Sequence, residues 1–116
     1  MNLKENTEIK AILDRLKEGM INYISDDTAY TEQDVTICMN ILNEYLDGIA
    51  TSKTKEEGMT FVKHTVLELN DLNGKCEDEL IETGQREDIC EIITIAGNLL
   101  GYNDRGDDIT EEWREW

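Results

Sequence analysis

The chain contains no proline, one histidine and few aromatic residues, and it is poor in positive charge. Each shortage excludes something. A single histidine, His64, rules out His-His and His-Cys metal sets, and residue 61 is Phe61, so the Glu-x-x-His motif of di-iron bundles is absent. Three cysteines, Cys38, Cys76 and Cys90, form no C-x-x-C and leave an odd one in any pairing, unlike a secreted disulfide framework. No run approaches the ~18 apolar residues of a membrane span, and MNLKENTEIK lacks the apolar stretch of a signal peptide. A reducing cytoplasm is the expected compartment.

The deficit of cations is large. Eleven Lys and Arg stand against 27 Asp and Glu, a net charge of −16. The two halves differ: residues 1 to 58 carry 12 acids and 6 bases, residues 59 to 116 carry 15 acids and 5 bases. Such a surface repels phosphates and anionic lipid and speeds encounter with basic partners. Direct nucleic-acid or membrane binding is therefore not expected, and a basic protein partner is. Leu, Ile, Val and Met remain plentiful, so the composition is that of a folded chain with a negative surface rather than a disordered one. At 116 residues, one domain able to remove roughly 65% of its unfolded surface from water is expected, without metals or disulfides.

Apolar residues recur every three or four positions in four places. Ile9, Ile12, Leu13, Leu16, Met20, Tyr23 and Ile24 predict a helix over about 7–25, with Asn6 or Thr7 as its cap. Val35, Cys38, Met39, Leu42, Tyr45, Leu46 and Ile49 predict a second over 32–50, opened by Thr31 and Asp34 in a capping box. Met59, Val62, Val66, Leu69 and Leu72 predict a third over 55–73, with Thr54 and Glu57 at its start and Asn73-Gly74 as its stop. Ile89, Ile92, Ile93, Ala96, Leu99 and Leu100 predict a fourth over 84–100, capped by Thr83 and closed by Gly101. No alternating strand pattern or internal repeat is present. The fold class that follows is all-α, four amphipathic helices in an antiparallel bundle.

A fifth element is expected beyond them. In DDITEEWREW, Ile109, Trp113 and Trp116 fall at i, i+4 and i+7, which predicts a short helix over 109–116. Both tryptophans of the chain lie here. A helix this short needs something to dock against. Ile109 and Trp113 are expected to tie it to the bundle, leaving Trp116 and the acids available. The candidate partner-binding residues are Asp107, Asp108, Glu111, Glu112, Trp113, Glu115 and Trp116, aromatics as a hot spot and acids as steering charges.

Catalytic chemistry is not expected. Ser25 and Ser52 lie in no nucleophile motif, Cys38 sits on an apolar stripe, and Cys76 sits among acids that raise a thiol pKa. Cys90, beside Ile89, reads as packed or half-buried. The stretch Gly101-Tyr102-Asn103-Asp104-Arg105-Gly106 followed by Glu112 has the glycine and glutamate of an EF-hand loop but Gly101 at its first ligand and Arg105 at its fifth, so no metal or other cofactor is expected. In size, charge and helical content the chain resembles bacterial immunity proteins, such as those that protect against nuclease colicins. That resemblance implies carboxylates meeting the Lys and Arg of a toxin, and it assigns no individual residue. Other roles consistent with the sequence are an acidic mimic of nucleic acid acting on a DNA-binding protein, and a homo-oligomeric helical domain whose tail swaps onto a neighbour; monomer and homodimer both remain open.

Overall fold

The computed structural model describes residues 2–116. After a short 3-10 turn over Leu3–Glu5 come four helices: α1 Thr7–Asn22, α2 Glu32–Ile49, α3 Lys55–Lys75 and α4 Thr83–Leu99. The helical bundle expected from the apolar spacing is present, and no strand occurs among the described residues.

Each helix start has a local cause. Asn6 Oδ1 accepts from the Ile9 amide at 3.0 Å, and Thr54 Oγ1 accepts from the Glu57 amide at 3.1 Å. Asp34 Oδ2 accepts from the Thr31 amide at 2.9 Å, the acid's half of the expected capping box. For α4 the cap is Glu82, one residue before Thr83, and it makes no side-chain cap bond.

The helix ends depart from expectation in instructive ways. The first helix stops at Asn22 rather than near residue 25, because a Ser25–Thr28 turn takes over: Thr28 Oγ1 donates to the Ser25 carbonyl at 2.9 Å and accepts the Ser25 amide at 3.1 Å. Tyr30, itself buried, donates its hydroxyl to the Met20 carbonyl at 2.7 Å and so satisfies an acceptor that the truncated helix would leave open. Tyr23 consequently projects into solvent at 68% exposure instead of joining the core. The third helix runs past Asn73-Gly74 to Lys75. Asn73 is buried, and its Oδ1 accepts the Ile81 amide at 2.9 Å, so it braces the next link rather than stopping the helix. The stop is displaced to Glu77 and Asp78, at φ 55° and 61°, where the Asp78 amide reaches back to the Asn73 carbonyl at 2.8 Å. The fourth helix ends as expected at Gly101, φ 81°, with Gly101 N bonded to Asn98 O and Tyr102 N to Gly97 O, both at 2.9 Å, a Schellman closure.

The core is one apolar cluster, with Ile9, Leu42, Leu46, Leu69, Ile89 and Ile92 among its fully buried members. Neighbouring helices pair as α2 with α3 and α1 with α4, and α2 also touches α1 and α4. Tyr45 of α2 bridges to α4 by donating its hydroxyl to the Ile93 carbonyl at 2.9 Å. Burial raises its phenol pKa. Cys38 is a core residue, as its stripe implied, and burial with Cys76 nearby pushes its thiol up to about 12. Cys76 is buried at the end of α3, where burial and then Asp34 push its thiol up to about 11.

Candidate functional site

The expected helix over 109–116 is not formed. Residues 100–116 are a strap of turns, and its contacts place it between α3 and α4. Along α3 it meets Gly58 with Tyr102 and Asn70 with Trp113; along α4 it meets Gly97 with Asn103 and Cys90 with Thr110 and Arg114. The strap therefore runs with α3 and against α4, which lie in opposite directions on its two sides.

Two glycines make the seat. A Cβ on Gly58 would stand 2.5 Å from a ring carbon of Tyr102, and one on Gly97 would collide with the Asn103 side chain. The missing side chains let Tyr102 and Asn103 lie directly on the helix backbones. Tyr102 then shares a 2.8 Å hydrogen bond with Ser52, and Asn103 donates to the Thr94 carbonyl at 3.2 Å.

The absence of helix has a physical reason in the bonds that replace it. Eight residues are too few to nucleate a helix unaided. Asp108 Oδ1 accepts both the Thr110 amide at 3.0 Å and the Thr110 hydroxyl at 2.6 Å, fixing a turn where the helix would begin. Asn70 of α3 then takes the backbone further on, donating to the Trp113 carbonyl at 2.8 Å and accepting the Glu115 amide at 3.1 Å. Tertiary partners thus satisfy groups that an isolated segment would pair within a helix.

Thr110 is wholly buried and is the strap's central anchor. Its hydroxyl lies 3.4 Å from Cys90 Sγ, and Arg114 Nη1 lies 3.0 Å from the same sulfur and 3.2 Å from Asp108 Oδ2. Partial burial pushes the Asp108 carboxyl up, but the Thr110 hydroxyl and amide and the Arg114 cation outweigh it, and the net value lies below the ordinary one. Cys90 is half-buried.

The residues singled out from sequence are brought to this strap, but not as one helical face. Trp113 and Trp116 are both half-buried and packed on the core, as is Ile109, so the expected contrast between a docked Trp113 and a free Trp116 is replaced by two docked rings. The Arg114 guanidinium stacks over Trp116 at 5.6 Å from the ring centroid. The acids Asp107, Asp108, Glu111, Glu112 and Glu115 are exposed. Asp108 is absorbed into the anchor, and Asp107 Oδ2 accepts the Asp104 amide at 3.0 Å. The remaining three make no side-chain hydrogen bond or ion pair among the described residues. The strap's two cations each have partners within the molecule: Arg114 pairs with Asp108 and Cys90 through Nη1, and Arg105 with both Glu8 oxygens at 2.9 and 3.0 Å and with Asn98 at 3.0 Å through Nη1 and Nε.

A cleft of about 580 Å³ opens between α4 and the strap. It is lined by Arg86, Cys90 and Ile95 on one side and Arg105, Asp108 and Arg114 on the other. Sequence reasoning missed it. One signal was present, since three of the chain's four arginines fall after residue 85, but nothing in the spacing showed that they converge. Among the described residues, no group of three or more metal-ligating side chains clusters, and no helix is long and apolar enough to cross a membrane. No protein-family model matches the chain, and neither the curated proteins nor the solved structures searched contain a match.

Proposed function

We propose that this chain is a non-catalytic interaction domain that binds and neutralises a basic protein partner in a reducing cytoplasm, in the manner of a toxin's immunity protein. One observation carries the reading: the strap's cations are paired within the molecule, while three of its acids are exposed and unpaired among the described residues. Arg105 and Arg114 are engaged by Glu8, Asn98, Asp108 and Cys90, while Glu111, Glu112 and Glu115 stay exposed without a cationic partner among the described residues. The same imbalance holds more widely. Among the described residues only Glu8, Asp47, Glu68, Asp88, Glu91 and Asp108 lie within 4 Å of a cationic or histidine nitrogen, out of 27 acids. Unneutralised charge costs the compact state self-repulsion, and a basic partner relieves it. The half-buried rings of Trp113 and Trp116 beside these acids supply aromatic area for the contact.

The test compares the wild-type chain with a Glu111→Gln, Glu112→Gln, Glu115→Gln variant in affinity capture from the host at low and moderate salt. Recovery of a basic protein by the wild-type chain, with an association rate that falls as salt rises and drops in the variant, is the expected result. Equal capture by the variant contradicts the role of the strap acids. Capture of a DNA-binding regulator that duplex DNA displaces would make the chain a nucleic-acid mimic instead.

A further inference from the structure

We propose that the cleft between α4 and the strap binds a small zwitterion of the amino-acid class, a site separate from the acidic face. Its volume of about 580 Å³ is that of a small-molecule site. What selects the ligand is the set of polar groups left unused around it. Three guanidinium groups reach the cleft in a chain of net charge −16. Two of them are held in place from behind, Arg105 by Glu8 and Asn98, and Arg114 by Asp108 and Cys90. Those bonds use Arg105 Nε and Nη1 and Arg114 Nη1, so Arg105 Nη2 and Arg114 Nε and Nη2 keep donors to spare among the described residues. Arg86, half-buried on α4, makes no ion pair or side-chain hydrogen bond among them. A guanidinium presents its N–H groups in a fork that fits a carboxylate.

The carboxylates of the cleft are mostly committed. Asp108 is taken by Thr110 and Arg114, Asp107 by the Asp104 amide, and Glu91 by Arg15 at 3.4 Å. Glu87, next to Arg86, is exposed and has no partner among the described residues. The unused set is therefore forked cations and one carboxylate, over a floor where Cys90 and the almost fully buried Ile95 supply the apolar contact. A molecule with one carboxylate, one ammonium and a short apolar body uses all three. Being neutral overall, it enters without the long-range repulsion that this chain exerts on phosphates and other multiply charged anions.

Trp116 provides the readout, because Arg114 lies over its ring. Titration with L-leucine is expected to change tryptophan emission saturably and to shift the backbone amide resonances of Arg86, Cys90 and Thr110. Acetate is expected to bind about tenfold or more weakly, since it leaves Glu87 unused. Arg86→Gln should weaken both ligands at least about tenfold with an unchanged far-ultraviolet circular dichroism spectrum. Glu87→Gln should weaken leucine and leave acetate unaffected. No saturable change with leucine, equal binding of acetate and leucine, resonance shifts confined to other parts of the chain, or an unchanged leucine affinity in folded Arg86→Gln would each overturn the proposal.

Discussion

The four helices and the strap solve the same problem with different materials. Between α1, α2 and α4 the contacts are aliphatic: Ile9, Leu42, Leu46, Ile89 and Ile92 are shut off from water, and burial of such side chains contributes ~1.5–3 kcal/mol each. Between α3 and α4 the gap is filled by the turns of residues 100–116, and these are fixed largely by directional bonds. Asn70 grips backbone at Trp113 and Glu115, Asp108 holds Thr110, and Arg114 closes onto Asp108 and Cys90. A core made of apolar area tolerates imprecision in any one contact. A strap made of hydrogen bonds depends on a few atoms being where they are.

That difference can be broken open, beginning with the largest effect. Leu46→Ala in the core should cost ~2–5 kcal/mol of global stability in denaturant unfolding, with helices and strap lost together. Gly58→Ala should act selectively: Tyr102 has to leave its seat, at a cost of roughly 1–3 kcal/mol, and tryptophan emission should move to the red while the helical circular dichroism is retained. Asn70→Ala removes both side-chain bonds to the strap, and a loss of about 1–3 kcal/mol is expected, with Trp113 and Trp116 more open to acrylamide quenching. An Asn70→Ala chain with wild-type quenching would show that the strap is held by its aromatic rings alone.

Acid should separate the two regions in one sample. Asp108 titrates lower folded than unfolded, so it stabilises the docked strap at pH above the ordinary carboxylate range, and that contribution is lost as pH falls through its depressed value. Tryptophan emission followed downward in pH should therefore show a strap transition that Asp108→Asn abolishes. The smallest effect belongs to the α3–α4 link. Glu77 at φ 55° carries a side chain where glycine is at ease, and Glu77→Gly should raise stability by roughly 0.5–1 kcal/mol in chemical denaturation.

How much of this was legible from the sequence follows from the same contrast. Helices were readable because the apolar period is a property of the chain itself: Ile9, Ile12, Leu13 and Leu16 face the core as their spacing requires, and Gly101 closes α4 where a left-handed residue was needed. Boundaries differ where bonds made by or to residues beyond the helix decide them. Tyr30 satisfies Met20 and lets α1 stop early, and Asn73 spends its side chain on Ile81 while the reversal moves to Glu77 and Asp78. The strap departs from its expected helix for a longer-range reason. Its period of Ile109, Trp113 and Trp116 is helical, but Asn70, some 43 positions away from Trp113, supplies the bonds that make a helix unnecessary. Its residues do lie together on one strap; the convergence of Arg86, Arg105 and Arg114 beside them depends on tertiary placement that no local pattern carries.

Native-state amide hydrogen exchange tests the account most directly. In the wild-type chain the Glu115 and Thr110 amides, bonded to Asn70 and Asp108 side chains, should be protected, though less than the amides of α2 and α4, and Asn70→Ala should abolish the protection at Glu115 while leaving α2 unchanged. Exchange at Glu115 and Thr110 as fast as in an unfolded peptide, in the wild-type chain under native conditions, would contradict a docked strap and with it the acidic face that the strap holds in place.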